Sequence, residues 1–240
     1  MSFKVRTTLR IEGSLLLTLA VSMIIPLLIA IFEGETQSMR AFLMVMGGCT
    51  VLGLFPFIFF GPSQRKIKNR DGFFIVSVSW FLASAVGALP FVISGTMESF
   101  TDAFFESCSG FTTTGSSILT DVEVLPRSML FWRSFTHWLG GMGVLVFLLA
   151  ITSFGGGEGH SLHLLRAESP GPDVGKITPK LRQGALTLYV IYIALSIIEV
   201  ILLLCGGMPL FDSITLSLGT AGTGGFGIKN DSIAGYSTYC

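Results

Sequence analysis

The chain has 240 residues, of which 50% are hydrophobic and 12% are charged, and its mean hydropathy is +0.72. Soluble domains carry about 25% charged residues, so this composition predicts an integral membrane protein. The net charge is zero and the pI is 6.8, which excludes the strongly basic surface of a nucleic-acid-binding domain. The four cysteines are widely spaced and form no CxxC pair, which argues against a zinc site or a disulfide framework.

Two uncharged segments open the chain. Residues 14–32 follow Lys4, Arg6 and Arg10. At about 1.5 Å per residue they are long enough to cross a ~30 Å hydrocarbon core. A signal peptide is the alternative, and the length of the run and its lack of a small-residue cleavage pattern disfavour it. Residues 41–60 form the second predicted span.

Three more spans are predicted further along the chain, at residues 72–95, 128–154 and 184–205. Between Ser94 and Pro126 no uncharged run is long enough to cross a bilayer. A re-entrant segment is therefore predicted in that interval.

The basic residues define the orientation of these spans. Of the 15 Lys and Arg residues, all but Arg40, Arg127, Arg133 and Lys229 fall on the side of the N-terminus. Because basic residues concentrate in cytoplasmic loops, we expect the N-terminus to lie in the cytoplasm.

A duplicated motif follows the third and the fifth predicted spans. FTTTGSS at residues 111–117 and AGTGGFG at residues 221–227 align at a shift of 110 positions. Six identities occur between residues 102–121 and 212–231, where composition alone predicts about one or two. Each copy is a short amphipathic segment followed by a Thr/Gly loop, which is the order of a channel pore repeat.

Thr/Gly loops at membrane depth need a physical reason, because an unsatisfied peptide group costs several kcal/mol in hydrocarbon. Successive carbonyls that point at one axis can replace the hydration shell of a monovalent cation, and glycine permits the positive φ of such a turn. The alternative is a pair of ordinary surface loops, which does not account for the repetition in register.

A half-helix is predicted before each loop. Ser99 with Asp102 resembles a capping box, and Pro209 with Asp212 resembles a helix start. The C-terminal, negative dipole ends of these half-helices would face the loops and favour a cation.

Long stretches of the chain match a known family. They are GFTTTGSSILTDVEVLPRSMLFWRSFTHWLGGMGVLVFLLAI, LLRAESPGP with KITP, GTAGTGGFG and the N-terminal GSLLLTLAVSMIIPLL. On these stretches the chain resembles the TrkH/KtrB potassium-uptake transporters, and specifically the TrkH branch. The resemblance implies four non-identical units around one K⁺ pathway, each with an outer helix, a pore helix, a filter loop and an inner helix.

The resemblance also implies which residues bind the ion. One wall of the selectivity filter would consist of Thr112, Thr113, Thr114 and Gly115, and the second of Gly222, Thr223, Gly224 and Gly225. The expected fold is an all-α integral membrane protein, with helix–pore-loop–helix repeats preceded by two extra transmembrane helices. It has about five full spans and two re-entrant pore helices.

The implied domains are an N-terminal two-helix extension at residues 1–61, a first pore unit at 62–155, a cytoplasmic loop at 156–183 and an incomplete second pore unit at 184–240. The chain ends before the inner helix of the second unit. We expect a fragment of a longer gene product, and the alternative is a half-channel that assembles from two chains.

The resemblance implies a multi-pass protein of the bacterial inner membrane that transports K⁺ and needs no cofactor. Its implied partners are a cytoplasmic nucleotide-binding regulatory subunit and a second copy of the full-length protein. The alternative function is a non-transporting membrane scaffold or sensor. No catalytic motif occurs in the apolar spans, so no enzyme is predicted.

Several polar residues in or near the spans need partners. Arg133 should either extend its charged end outward to the membrane surface or pair with an acidic group such as Asp102 or Glu106. Its expected role is a clamp on the pore helix, and the alternative is direct repulsion of ions. His137 is predicted to be a hydrogen-bonded packing residue. Glu199 must also find a partner, which the sequence does not identify.

Acidic and histidine side chains outside the spans leave alternatives open. Glu106 and two loop acids, Asp121 and Glu123, either concentrate cations at the mouth or are simply solvated. The histidines of residues 158–163, with Glu158, are a weak metal-site candidate because they lack a fourth ligand.

Overall fold

The computed structural model describes residues 3–61, 69–143 and 181–236, and all regular secondary structure in these ranges is helical. This confirms the all-α prediction. The helices are α1 (Phe3–Ser22), α2 (Ile24–Phe32), α3 (Thr36–Phe59), α4 (Asn69–Ile93), α5 (Phe100–Phe111), α6 (Arg127–Gly141), α7 (Leu181–Cys205) and α8 (Leu210–Ala221).

The N-terminal helices form a bent hairpin. α1 and α2 together make one apolar segment, Val5–Phe32, with a break at Met23. The break precedes Pro26, whose ring removes the hydrogen bond that residue 26 would donate to residue 22. α3 returns as the second segment, Thr36–Phe59. α1 and α3 begin earlier than the predicted spans at residues 14–32 and 41–60. The predicted spans contained only uncharged residues, whereas the helices also include the charged residues that precede those spans.

Paired glycines bring α1 and α3 together. A Cβ atom placed at Gly13 would lie 2.7 Å from the carbonyl oxygen of Gly53, and one placed at Gly53 would lie 2.8 Å from the Leu17 side chain. Small residues allow this close approach in membrane helices, where packing rather than hydrophobic exclusion drives association.

Within the described residues, four segments are long and apolar enough to cross a membrane. Besides the two above they are Phe74–Ile93 in α4 and Leu186–Cys205 in α7. These four correspond to four of the five predicted spans. The remaining predicted span, 128–154, begins with α6, and its residues after Gly143 lie outside the described ranges.

Two short helices, α5 and α8, precede the Thr/Gly loops. Each has 12 residues. Ser99 is the N-cap of α5, and its hydroxyl accepts a hydrogen bond from the N–H of Asp102 at 3.4 Å. Pro209 occupies the N-cap position of α8. α5 packs against α4 and α6, whereas α8 packs against α6 and α7. α6 is therefore the neighbour that the two short helices share.

α6 is buried around almost its whole circumference. Its fully buried Trp132 donates a hydrogen bond from Nε1 to the carbonyl of Gly87 in α4 at 3.0 Å. Arg133, Thr136 and His137 are also buried. Polar side chains are costly in a low-dielectric interior unless they are paired. The buried polar groups of α6 are therefore expected to have specific partners.

The glycine contact predicts a position-specific effect on stability. Gly53→Val would push α1 away from α3 and should destabilise the protein by about 1–3 kcal/mol. The matched control is Gly48→Val in the same helix, because nothing lies within 4 Å of a Cβ placed at Gly48. Thermal unfolding in detergent measures both. Equal losses of stability in the two variants would contradict the close contact of α1 with α3 at Gly53.

Candidate functional site

The two Thr/Gly loops begin with the same backbone turn. Both short helices end in a Schellman motif, in which the two N–H groups after the helix bond back to carbonyls of its last turn. The hydrogen bonds are Thr113 to Gly110 (3.0 Å) and Thr114 to Ser109 (2.9 Å) after α5, and Thr223 to Thr220 (2.8 Å) and Gly224 to Gly219 (3.0 Å) after α8. Every donor and acceptor in the second set lies 110 positions after its counterpart in the first. The duplication in sequence is therefore also a duplication in local structure.

Positive φ angles recur at the same two positions of each loop. They are +56° at Thr113 and +76° at Gly115, then +60° at Thr223 and +80° at Gly225. Glycine adopts this region freely, but a β-branched residue there costs about 1–3 kcal/mol and persists only where its surroundings hold it. The sequence indicated positive φ at glycine and missed it at threonine.

The two loops touch each other. A Cβ atom placed at Gly115 would lie 1.9 Å from the carbonyl oxygen of Gly224, so the first loop lies directly against the second. Thr112 and Gly222 are the C-cap residues of α5 and α8. The structure thus brings the two predicted sets of site residues together.

A buried ion pair lies behind the first loop. Arg133 in α6 pairs through Nε with Oε1 of Glu106 in α5, and both side chains are almost fully buried. The Glu106 carboxylate also accepts hydrogen bonds from the Ser117 hydroxyl at 2.9 Å and the Ile118 N–H at 3.0 Å. The predicted pairing of Arg133 is therefore confirmed with Glu106 and is wrong for Asp102. It ties α5, α6 and the end of the first loop together.

The same arginine also holds the second loop. Its Nη1 donates to the carbonyl of Gly227 at 2.8 Å, and its guanidinium lies 3.8 Å from the centroid of the Phe226 ring. The imidazole of His137 stacks on that ring at 4.0 Å and 22°. Both groups are too close to the ring centroid to share one face, so Phe226 lies between Arg133 and His137. Sequence reasoning missed this link to the second loop.

The loops lie directly on the backbone of α6. A Cβ atom placed at Gly140 would lie 2.0 Å from the carbonyl oxygen of Phe111, and one placed at Gly141 would lie 2.8 Å from the Cα of Gly222. Small residues in membrane helices allow such close contacts. The structure shows that the close approach is to the ends of α5 and α8, where the loops begin.

A second link joins the segments that follow the loops. The Asn230 side chain accepts a hydrogen bond from the N–H of Val122 at 2.9 Å and donates one to Asp121 at 2.8 Å. The N–H of Asn230 donates to Glu123 at 3.1 Å. Asp121 and Glu123 therefore hold the two repeats together, which neither of the sequence-based alternatives foresaw.

Other predicted residues have mixed outcomes. Glu199 faces α8, where the hydroxyl of Ser217 lies 3.5 Å from its carboxylate. His137 is a packing residue as predicted, and the backbone of Ser109 faces its ring, although within the described residues neither ring nitrogen makes a hydrogen bond of ordinary geometry. The metal-site candidate at residues 158–163 lies outside the described ranges.

Comparison with known proteins identifies the family. The TrkH family, described as cation transport protein, matches residues 40–240. The chain belongs to this family. The match confirms the resemblance seen in the sequence and assigns the chain to a family of transporters rather than enzymes.

Relatives and a solved structure agree with that assignment. The Trk system potassium uptake protein TrkH of Salmonella typhimurium is 38% identical over 236 residues, which cover 96% of this chain and 47% of the relative. The Escherichia coli K12 protein of the same name is 38% identical over 233 residues, covering 95% and 47%. The crystal structure of the potassium transporter TrkH from Vibrio parahaemolyticus matches with a TM-score of 0.80 at 33% identity, covering 100% of this chain and 47% of that one.

The chain spans about half the length of these relatives. Together with the four apolar segments among the described residues, the family match identifies a multi-pass membrane protein.

The ion pair predicts a large loss of stability when one partner is neutralised. Glu106→Gln would leave Arg133 buried without a counter-charge and should cost about 3–5 kcal/mol. The matched control is Arg127→Gln, which breaks the Arg127–Glu33 pair, whose side chains are 49% and 40% exposed. That variant should cost about 0–1 kcal/mol. Thermal unfolding in detergent compares the two, and a Glu106→Gln loss no larger than that of the control would contradict the clamp.

Proposed function

We propose that the full-length protein carrying this chain takes up potassium ions through a filter of backbone carbonyls, of which this chain supplies two of four loops. The family and the potassium uptake named for its relatives support the choice of ion. The observation that carries the mechanism is the pair of loops with matching turns and positive φ angles, in contact at Gly115 and Gly224.

The loop carbonyls are available to an ion. Among the described residues, no N–H or O–H group donates a hydrogen bond to the backbone carbonyls of Thr112–Gly115 or Gly222–Gly225. In water such carbonyls are hydrated, and in a narrow passage they can replace the hydration shell of K⁺. The threonine hydroxyls remain local, since that of Thr112 donates to the carbonyl of Cys108 at 2.7 Å and lies 2.8 Å from that of Thr114.

The charges around the loops favour weak, reversible binding of a cation over tight binding. α5 and α8 end at the loops, so the partial negative charges of their C-termini face the ion. The Glu106 carboxylate is neutralised by Arg133. The ion would therefore meet carbonyl dipoles instead of a free carboxylate, which favours binding weak enough for release.

The proposed organisation follows the repeat. α4, α5, the first loop and α6 belong to a first pore unit within residues 62–155, and α7, α8 and the second loop to a second unit within 184–240. Residues 1–61 form an N-terminal extension. With the N-terminus in the cytoplasm of a bacterial cell, both loops open towards the outside of the inner membrane, and residues 156–183 lie in the cytoplasm.

The proposed partners act on the whole protein. A cytoplasmic nucleotide-binding subunit would bind the inner face, and two copies of the full-length protein would form a dimer in the lipid bilayer. K⁺ is the transported substrate, and the mechanism uses no cofactor.

Growth at low K⁺ tests the proposed filter. A K⁺-uptake-deficient strain supplied with the full-length gene should grow at limiting K⁺, and Gly115→Asp should abolish this growth. An aspartate there combines a strained φ of +76° with a clash against Gly224.

The matched control is Gly95→Asp. Its φ is +74°, but nothing lies within 4 Å of its Cβ, so the substitution adds similar strain without touching the loops. It should preserve growth at low K⁺ when both variants reach equal abundance in the membrane. Normal growth with Gly115→Asp would rule out the filter assignment.

A further inference from the structure

We infer that His137 is a specificity-determining residue of the proposed filter, because its imidazole fixes the position of Gly224 from behind. The inference rests on the proposed ion-filter function. It assigns to α6 a part in ion selection in addition to its part in holding the loops.

The imidazole fills the space behind the second loop. His137 is fully buried. A Cβ atom placed at Gly224 would meet three ring atoms of His137, Nδ1 at 2.2 Å, Cε1 at 2.3 Å and Cγ at 2.4 Å. One placed at Gly222 would meet the His137 carbonyl oxygen at 2.4 Å. The second loop therefore has glycine at the two positions where it rests on this residue.

Packing holds the ring in place. Phe226 lies between the imidazole and the guanidinium of Arg133, and the backbone of Ser109 faces the ring. Neither ring nitrogen has a hydrogen-bond partner of ordinary geometry in the described part of the chain. The volume and plane of the ring, rather than a hydrogen bond, position Gly224.

The other side of Gly224 is also confined. Its carbonyl oxygen lies against Gly115 of the first loop. Gly224 is thus enclosed between His137 behind and the first loop in front. Loss of the ring would let the second loop move back and change the spacing of the carbonyls that face the ion. Ion discrimination depends on that spacing and on the number of coordinating carbonyls.

A double-mutant cycle in the full-length protein tests this arrangement. The measurements are the KM for K⁺ uptake and its inhibition by Na⁺ for wild type, His137→Ala, Gly224→Ala and the double variant. Gly224→Ala forces a methyl group into the imidazole, and His137→Ala vacates the space. Each single variant should lower the preference for K⁺ over Na⁺ by about tenfold. The preference of the double variant should exceed that of Gly224→Ala by a similar factor.

The matched control is the same cycle with Gly225→Ala. Gly225 has a φ of +80°, and nothing lies within 4 Å of its Cβ, so alanine there is strained but does not touch His137. Adding His137→Ala to Gly225→Ala should not restore the preference for K⁺ over Na⁺. Trp138→Phe, on the neighbouring position of α6, loses a hydrogen bond to Ser196 in α7 and should keep wild-type selectivity.

The outcomes separate this inference from the proposed function. Wild-type protein that does not transport K⁺ would refute the function and the inference with it. Normal K⁺ transport with unchanged selectivity in His137→Ala, and no coupling to Gly224→Ala, would overturn the inference alone. If His137→Ala does not reach the membrane, His137→Gln takes its place in the cycle, because the slimmer amide should still relieve part of the clash with Gly224→Ala.

Discussion

The buried pair of Arg133 and Glu106 is the interaction on which the site depends. Two charges in a low-dielectric interior are stable only when their hydrogen-bonding capacity is well used. Here the carboxylate accepts hydrogen bonds from Ser117 and Ile118 at the end of the first loop, and the guanidinium donates one to Gly227 at the end of the second. One ion pair therefore fixes two loops that are 110 residues apart in the chain.

The strain in the loops gives this clamp a purpose. Thr113 and Thr223 hold left-handed backbone conformations that threonine avoids. Such conformations persist where the surroundings impose them. α6 imposes them from one side, through its ion pair and through the glycines on which Phe111 and Gly222 rest. In the proposed filter, this external support would keep the loops in shape when the ion leaves.

Local patterns in the sequence predicted much of the fold. The apolar runs located four spans, and the cap at Ser99 and the start at Pro209 located α5 and α8. These features depend on neighbouring residues, so they are visible in a single sequence. The 110-residue repeat also predicted a duplicated unit of short helix and Thr/Gly loop, and the two copies have matching turns in the structure.

Contacts between distant residues were harder to predict. A buried arginine had to find an acid, which narrowed its partner to Asp102 or Glu106, but nothing in the sequence pointed from Arg133 to Gly227. The stack of His137 on Phe226 was missed for the same reason, because an aromatic residue after a glycine loop has no distinctive pattern. The positive φ of the threonines was missed because local propensity opposes it.

Direct observation of the ion tests the central claim, that the two loops together line a cation pathway. A crystal structure of the full-length protein with Tl⁺ in place of K⁺ would locate the ion by its anomalous scattering. The account predicts density in contact with the carbonyl oxygens of Thr112–Gly115 and of Gly222–Gly225. Tl⁺ bound elsewhere in the protein, with none at these carbonyls, would contradict it.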